Sequence, residues 1–119
     1  MKNTLVFGAS LKPNRYSNIV IHRLVDKGIP TQAFGLRNGT VSGVEIKTSL
    51  DSFRDIHTLT LYLNPSRQVD YYDDIIMLKP VRVLFNPGTE NPEFYKLLNK
   101  NGIAVEVACT LVLLGTGQF

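Results

Sequence analysis

The sequence predicts an α/β fold in which helices cover both faces of a mostly parallel β-sheet. Short apolar runs bounded by Gly, Pro or Asn alternate about four times with segments whose apolar residues recur at helical spacing. Connections of this length carry a crossover helix, and strands joined in that way are parallel. A chain of 119 residues with 44% hydrophobic and 19% charged residues suits one such domain, so residues 1–119 are expected to form it.

The beginning of the chain predicts a strand followed by a helix. Residues 5–7 form a continuous apolar run, which is typical of a strand buried on both faces, and Gly8 ends it. The next apolar residues lie at helical spacing, and Asn14 or Ser17 can cap the helix that they predict. Gly28 is the expected stop, because glycine adopts the left-handed conformation found just after a helix.

The middle of the chain predicts two more strands. Residues 30–34 are the second strand candidate, and residues 37–49 are expected to be a connection with room for one short edge strand. Residues 51–53 resemble a capped helical turn. Residues 58–63 are rich in Thr, Leu and Tyr, which favours a strand, and Asn64-Pro65 ends it with a turn.

The second half repeats the alternation of helix and strand. Helical spacing predicts one helix over residues 66–80 and another that begins at Glu90 or Asn91 and ends at Gly102. The last two strands share a β-branched, apolar composition and cover residues 81–85 and residues 103–107. Residues 111–114 could form a helix, a strand or a dimer contact, and the pattern leaves these alternatives open.

Together these elements predict a single Rossmann-like domain of three layers, with about five mostly parallel strands and right-handed crossovers. The formal net charge of +3 is mild. The only cysteine, Cys109, can form no internal disulfide, which suits a reducing compartment such as the cytoplasm. No apolar run approaches the roughly 18 residues of a membrane span, and no signal peptide is expected.

Basic residues occur in the turns that follow the predicted strands. Lys12, Arg15, Arg37 and Arg67 all lie there, whereas the first acidic residue in any of these turns is Glu90. The carboxyl ends of parallel strands meet at one edge of the sheet, where ligands bind in open α/β folds. We therefore expect these cations to converge on a small polyanionic molecule.

The first turn has the context of a loop that binds nucleotide phosphates. Gly8 follows a strand and lets the backbone approach phosphate oxygens, Ser10 offers a hydroxyl, and a helix N-terminus follows. The G-x-G-x-x-G pattern is absent, because Ser10 and Pro13 occupy the second and third glycine positions. The alternative is that Gly8 serves only the tight turn from strand to helix.

The end of the second strand separates the candidate nucleotides. Domains that bind NAD usually place Asp or Glu here to hold the ribose hydroxyls, but this chain has Phe34-Gly35-Leu36-Arg37. An arginine in place of the acid favours a ribose that carries a phosphate, as in NADP or coenzyme A. Arg37 could also be a solvated loop residue.

The first turn also carries a motif of a known family. Gly8-Ala9-Ser10, Pro13, Arg15 and Ser17 form a G-A-S-x-x-P-x-R-x-S arrangement, and Cys109 follows the last strand. These residues resemble the small single-domain CoA-binding proteins, which are similar to the nucleotide-binding domain of the succinyl-CoA synthetase α-subunit.

The resemblance implies a Rossmann-like domain that binds coenzyme A or an acyl-CoA. It implies that residues 8–17 hold the pyrophosphate, that Arg37 and its neighbours hold the 3′-phosphate region, and that residues 64–67 hold the adenine or pantetheine edge. The candidate ligand-binding residues all lie at strand ends and in the turns that follow, and they are Gly8, Ala9, Ser10, Lys12, Arg15, Ser17, Phe34, Gly35, Arg37, Asn64, Pro65, Arg67, Asn86 and Gly88.

No set of residues predicts catalysis. His22 is expected on the surface of a helix, and His57 precedes a strand at the opposite edge of the sheet. Cys109 is the only candidate nucleophile, and a small buried hydrophobe is the favoured interpretation. If it is reactive, it could form a mixed disulfide with the thiol of CoA. A lack of reaction between the native protein and a thiol reagent would exclude this hypothesis.

The charge pattern around the tyrosines argues against other partners. Tyr71 and Tyr72 stand next to Asp73 and Asp74, which is unlike a basic aromatic platform for nucleic acid. The Asp70, Asp73 and Asp74 cluster is more typical of a solvated helix face than of a metal site. We therefore expect a binding module for a small CoA ligand, with neither nucleic acid nor membrane as partner and with a homo-oligomer or an enzyme partner left open. The alternatives are an NADP-dependent oxidoreductase and an interaction protein with a vestigial nucleotide site.

Overall fold

The computed structural model describes residues 2–119, and within them strands and helices alternate as an α/β fold requires. In chain order the elements are β1 (Thr4–Phe7), α1 (Tyr16–Asp26), β2 (Thr31–Phe34), β3 (Gly39–Val41), β4 (Val44–Lys47), β5 (Thr58–Leu61), α2 (Pro65–Gln68), α3 (Tyr72–Leu78), β6 (Arg82–Phe85), α4 (Pro92–Lys100), β7 (Ala104–Val107) and α5 (Thr110–Gly115). A short 3-10 turn, Val69–Tyr71, joins α2 to α3.

The strands form one sheet with the order β3-β4-β2-β1-β5-β6-β7. Every neighbouring pair is parallel except β3 and β4, which run antiparallel at the edge. The predicted fold class is therefore confirmed, with seven strands across the described residues rather than about five. Strand order reverses at β1, since β2 lies on one side of it and β5 on the other.

Residues 37–49 hold two strands where the sequence predicted at most one. Ser42 and Gly43 have φ angles of 50° and 80°, and this pair makes the turn between β3 and β4. The prediction was incomplete because both strands are short and half exposed, so neither forms an apolar run. β4 extends the sheet beside β2, pairing Ala33 with Ile46.

One predicted helix is broken into shorter pieces, and the turn predicted at residues 51–53 does not continue into a helix. The helix expected over residues 66–80 is broken into α2, the 3-10 turn and α3. The break turns Tyr71 inward, where its ring packs edge-on against Phe7 and Phe34 at centroid distances of 5.3 and 5.7 Å. Residues 51–53 form a turn and no helix, and the Phe53 side chain is buried in the core.

Some of the observed helix ends agree with those predicted from the sequence, and others do not. Gly28 and Gly102 adopt positive φ after α1 and α4, and Asn91 caps α4, as expected. The predicted caps of α1 are wrong, because its N-cap is Arg15, whose side chain makes no capping hydrogen bond. Of the two conformations left open for residues 111–114, the structure has the helix, since these residues belong to α5.

The core lies on both faces of the sheet. One cluster includes Phe7, Phe85 and Phe94 on the side of α3 and α4, and the other includes Val6 and Ile21 on the side of α1 and α5. These two clusters fix the sheet between its helices and hold the carboxyl ends of the strands at one edge. No helix within residues 2–119 has the length and apolar character to cross a bilayer.

Candidate functional site

A cleft of about 660 Å³ lies at the carboxyl ends of β1, β2, β5 and β6. It spans the position at which strand order reverses, where α/β proteins bind ligands. Its volume lies within the usual range for small-molecule sites. Every predicted ligand residue except Pro65 and Asn86 lines the cleft. That these residues contact a ligand remains a prediction.

The first turn lies directly against the end of β2. The backbone N–H groups of Gly8 and Ala9 both donate to the Phe34 carbonyl oxygen, at 2.9 and 2.8 Å. Gly8 has a φ of 97°, a conformation that favours glycine. A Cβ atom on Gly35 would collide with the Ala9 carbonyl oxygen, so only glycine lets the two segments approach this closely. The first wall of the cleft is therefore a fixed backbone surface.

Ser10 and Asn18 hold the rest of this turn in place. The Ser10 hydroxyl accepts a hydrogen bond from the Lys12 N–H at 3.1 Å. The buried Asn18 side chain donates from Nδ2 to the Ser10 carbonyl oxygen at 3.0 Å. These two contacts tie the turn to the first part of α1.

The N-terminus of α1 opens into the cleft. Tyr16 and Ser17, the first two residues of the helix, both line it. The first N–H groups of an α-helix have no acceptor within the helix, and here no side chain caps them. They add a partial positive charge to the wall.

Four cationic side chains come together at the cleft. Lys12, Arg15, Arg37 and Arg67 line it, although they are widely separated along the chain. None of the lining residues within the described part of the chain is acidic. The one ion pair among residues 2–119 joins Arg82 and Glu106, at 3.1 Å. The Glu90 carboxylate accepts a hydrogen bond from the N–H of the lining residue Gly88 at 2.8 Å, so it lies next to the cleft. The four cations nevertheless give the wall an excess of positive charge, as expected for a polyanion site.

Asn64 is the N-cap of α2 and binds the backbone N–H of Arg67. Its Oδ1 accepts hydrogen bonds from the Arg67 N–H at 3.1 Å and from the Ser66 hydroxyl at 2.7 Å. Pro65 follows as the first residue of the helix, a position at which its missing N–H is harmless. Pro65 thus shapes α2 without lining the cleft.

Asn86 lies beneath the cleft rather than on its wall, and its side chain is fully used. Nδ2 donates to the Thr60 hydroxyl at 2.8 Å and to the Leu61 carbonyl at 3.0 Å. Oδ1 accepts from the Thr110 N–H at 2.9 Å. Asn86 is not among the lining residues, and its buried amide joins β5, β6 and α5. Its contact with a ligand remains a prediction.

Several lining residues were not predicted from the sequence, and most of them are apolar or aromatic. They are Leu11, Tyr16, Leu36, Tyr62, Leu63, Tyr71, Pro87 and Thr89. Leu36 and Tyr16 are 66% and 71% exposed, which is unusual for such large side chains. For Leu11, Tyr16 and Leu36, the signal that could have identified them was a large apolar or aromatic residue within an otherwise polar turn. The cleft thus combines cations with surfaces suited to a base or an alkyl chain.

Tyr62 is the most strongly shifted ionisable group of the cleft. Burial of its side chain raises the pKa of Tyr62 to about 12, although hydrogen bonds with Thr60 and Thr110 act in the opposite direction. The phenol is therefore neutral at physiological pH.

A family model described as a CoA binding domain matches residues 2–115, which is nearly the whole chain. The chain belongs to this CoA-binding domain family. The predicted resemblance is thereby confirmed at the level of the family. No curated protein matches the chain significantly.

Solved structures share the fold of this chain. The crystal structure of an uncharacterized protein is 42% identical with a TM-score of 0.96, and the match covers 100% of this chain and 98% of that one. Cell-free ID.343 from Thermus thermophilus is 26% identical with a TM-score of 0.86, covering 99% and 91% of the two chains. A hypothetical protein from Pyrococcus horikoshii OT3 is 28% identical with a TM-score of 0.80, covering 91% and 76%.

Other reactive groups of this CoA-binding domain lie away from the cleft wall. Cys109 is the half-buried N-cap of α5 and does not line the cleft. His22 is exposed on α1. His57 lies just before β5 at the opposite edge of the sheet, where burial, then the charges of Arg82 and Lys2, lowers its pKa. Within residues 2–119, no group of three His, Cys, Asp or Glu residues is arranged to hold a metal.

Proposed function

We propose that residues 1–119 form one domain that binds coenzyme A or an acyl-CoA in this cleft and performs no chemistry of its own. The observation that carries the proposal is the convergence of Lys12, Arg15, Arg37 and Arg67 on a cleft without acidic lining residues in the described chain. Membership of the CoA-binding domain family supports the same ligand. A CoA molecule carries a pyrophosphate and a 3′-phosphate, which match such a wall.

The pyrophosphate belongs in this proposal to the first turn. Backbone N–H groups at the start of α1, the Ser10 hydroxyl and the charges of Lys12 and Arg15 are grouped there. Charge-assisted hydrogen bonds of this kind are the strongest that a phosphate receives from a protein. The glycine contacts between the first turn and β2 keep these donors in place before a ligand arrives.

The two ends of CoA extend to opposite sides of the first turn. Arg37, which follows β2, is the residue proposed to hold the 3′-phosphate. The pantetheine arm lies on the other side, between residues 63–67 and residues 87–89, where Leu63 and Pro87 offer apolar surface. The ligand would thus cross the reversal point of the sheet.

The ionisable side chains of the cleft wall favour ligand binding without catalysis. Its ionisable side chains are Lys12, three arginines and three tyrosines, which hold phosphates and stack on bases. We propose that the domain delivers or senses its ligand in the cytoplasm, alone, as a homo-oligomer or with a partner enzyme.

Titration calorimetry with matched ligands tests the role of Arg37. We expect dephospho-CoA, which lacks the 3′-phosphate, to bind the wild type about 1–3 kcal/mol more weakly than CoA, because a charge-assisted contact is lost. In Arg37→Ala, CoA should bind as weakly as dephospho-CoA does, and removing the phosphate should cause little further loss.

An exposed arginine away from the cleft provides the control. Arg23 lies in the last turn of α1, so Arg23→Ala makes the same change in charge far from the first turn. CoA affinity should be unchanged in this variant. Equal binding of CoA and dephospho-CoA by the wild type would refute the assignment of Arg37. Tight binding of NADPH without binding of CoA would favour an NADP-dependent oxidoreductase instead.

A further inference from the structure

A single buried amide, the side chain of Gln68, joins two walls of the cleft. Gln68 is the last residue of α2 and is completely buried. Its Nε2 donates hydrogen bonds to the carbonyl oxygens of Leu63 and Thr89, both at 2.8 Å. Leu63 follows β5 and Thr89 follows β6, and both residues line the cleft. One side chain therefore sets the distance between two loops that come from different strands.

A chain of hydrogen bonds orients this amide. Asn91 donates from Nδ2 to the Gln68 Oε1 at 2.9 Å and to the Tyr72 hydroxyl oxygen at 2.8 Å. The Tyr72 hydroxyl donates to Glu93 at 3.0 Å. Because Asn91 donates to Oε1, the amide of Gln68 is held with its N–H groups towards the two carbonyls. A continuous chain of hydrogen bonds thus connects exposed Glu93 to the two buried carbonyl oxygens of the loops.

Loss of this amide would destabilise the present positions of the two loops. Both N–H groups of Nε2 are used, so an apolar side chain of the same length leaves two carbonyl oxygens without their donor in a buried position. An unsatisfied buried carbonyl is unfavourable enough that the loops should move apart to reach water. No hydrogen bond joins Gln68 to the first turn or to Arg37 among the described residues. The first turn does lie close to Leu63, since a Cβ atom on Gly8 would be 3.1 Å from the Leu63 Cδ2 atom.

We propose that Gln68 is a positioning residue that sets the width of the cleft where the pantetheine arm lies. This inference rests on the proposed binding of CoA. Gln68 does not touch the ligand and acts through the carbonyls of Leu63 and Thr89. Its main effect is on affinity for the pantetheine half of the ligand, and the adenosine half with its 3′-phosphate, which is assigned to Arg37, is affected much less.

The test compares two ligands in one variant. Gln68→Met keeps the length of the side chain and removes its hydrogen bonds. Titration calorimetry should show CoA binding weakened by roughly tenfold or more, the effect of about one lost buried hydrogen bond. Adenosine 3′,5′-bisphosphate, which has no pantetheine arm, should bind this variant within about twofold of the wild type. A general loss of stability would weaken both ligands alike.

A milder variant keeps the test decisive if Gln68→Met fails to fold. Tyr72→Phe removes only the outer hydroxyl of the chain, and the same selectivity is expected with a smaller loss of CoA affinity. The matched control is Gln32→Met, because Gln32 lies in β2 and its buried Oε1 has no hydrogen-bond partner among the described residues. CoA affinity should be unchanged in that control.

The outcomes separate the two proposals. Equal CoA affinity in Gln68→Met and wild type, or an equal loss for both ligands, overturns the role of Gln68 while the proposed function stands. Failure of the wild type to bind CoA overturns the proposed function itself and removes the basis for this role. Selective loss of CoA in Gln68→Met and Tyr72→Phe, with Gln32→Met unaffected, supports it.

Discussion

At the scale of single residues, Gly8 and Gly35 explain why the first turn is a fixed surface. Gly8 adopts a positive φ, and Gly35 leaves room for the Ala9 carbonyl oxygen. Both glycines appear in the sequence as turn residues, so their location was predictable. The close approach of Gly35 to Ala9 was not, because the contact joins two strand ends that are adjacent only in the folded sheet.

Gly35→Ala tests this close approach. The added Cβ would displace the Ala9 backbone, and overpacking of this kind costs about 1–3 kcal/mol. We expect a lower free energy of unfolding in urea and weaker CoA binding, since the first turn moves. Gly115→Ala is the matched control, because a Cβ there meets nothing within 4 Å and Ala favours the helix. Unchanged stability and affinity in Gly35→Ala would contradict the proposed rigidity.

Tyr62 predicts a specific sensitivity to alkaline pH. Its pKa is about 12 in the folded protein and 10 in the unfolded chain, so between these values the folded state holds a proton that the unfolded state has lost. The free energy of unfolding should therefore fall by on the order of 2–3 kcal/mol as the pH rises through this range, because burial raises the pKa of Tyr62.

Urea unfolding at several alkaline pH values measures this effect by difference. Tyr62→Phe should remove that part of the decline, whereas Tyr16→Phe, at an exposed position, should decline as the wild type does. Identical slopes in wild type and Tyr62→Phe would show that the phenol is not buried as described.

At the scale of elements, α2 links local sequence to the site. The Asn64-Pro65 pair begins the helix, and the cap on the Arg67 N–H places that residue at the cleft. The sequence predicted the turn at Asn64 but extended one helix over residues 66–80. Spacing alone could not reveal the break, because Tyr71 turns inward to meet Phe7 and Phe34, and those contacts are tertiary.

Asn64→Asp and Asn64→Ala separate the structural role of the cap from ligand binding. Aspartate caps helices about as well as asparagine, so Asn64→Asp should keep the stability of the wild type, whereas Asn64→Ala should lose about 0.5–2 kcal/mol. The added negative charge lies on the cleft wall near Arg67, so Asn64→Asp should bind CoA more weakly. Chemical denaturation and calorimetry measure the two effects. CoA affinity equal to that of the wild type in Asn64→Asp would argue against a contribution of the charge near Arg67 to binding of the CoA phosphates.

The hairpin of β3 and β4 shows another limit of the sequence. Its strands are short and half exposed, and its turn is built from Ser42 and Gly43. Composition there indicates a loop. The strand β4 exists because its backbone pairs with β2, which no local pattern of residues 44–47 reveals.

At the scale of the whole molecule, the order of the strands produces the site. Because β2 and β5 lie on opposite sides of β1, the turns after these strands surround one cleft. The alternation of strands and helices was enough to predict the fold class and the edge at which Lys12, Arg15, Arg37 and Arg67 meet. The depth of the cleft and its apolar wall depend on packing, so Tyr62, Leu63 and Thr89 could not be identified from the sequence.

The central claim is that this gathered positive charge selects CoA, and one measurement tests it most directly. Purified protein is titrated by calorimetry with CoA and, in parallel, with NADPH. We predict saturable binding of CoA at one site per chain, with NADPH weaker or undetectable. Binding of NADPH without CoA, or of neither compound, would contradict the claim.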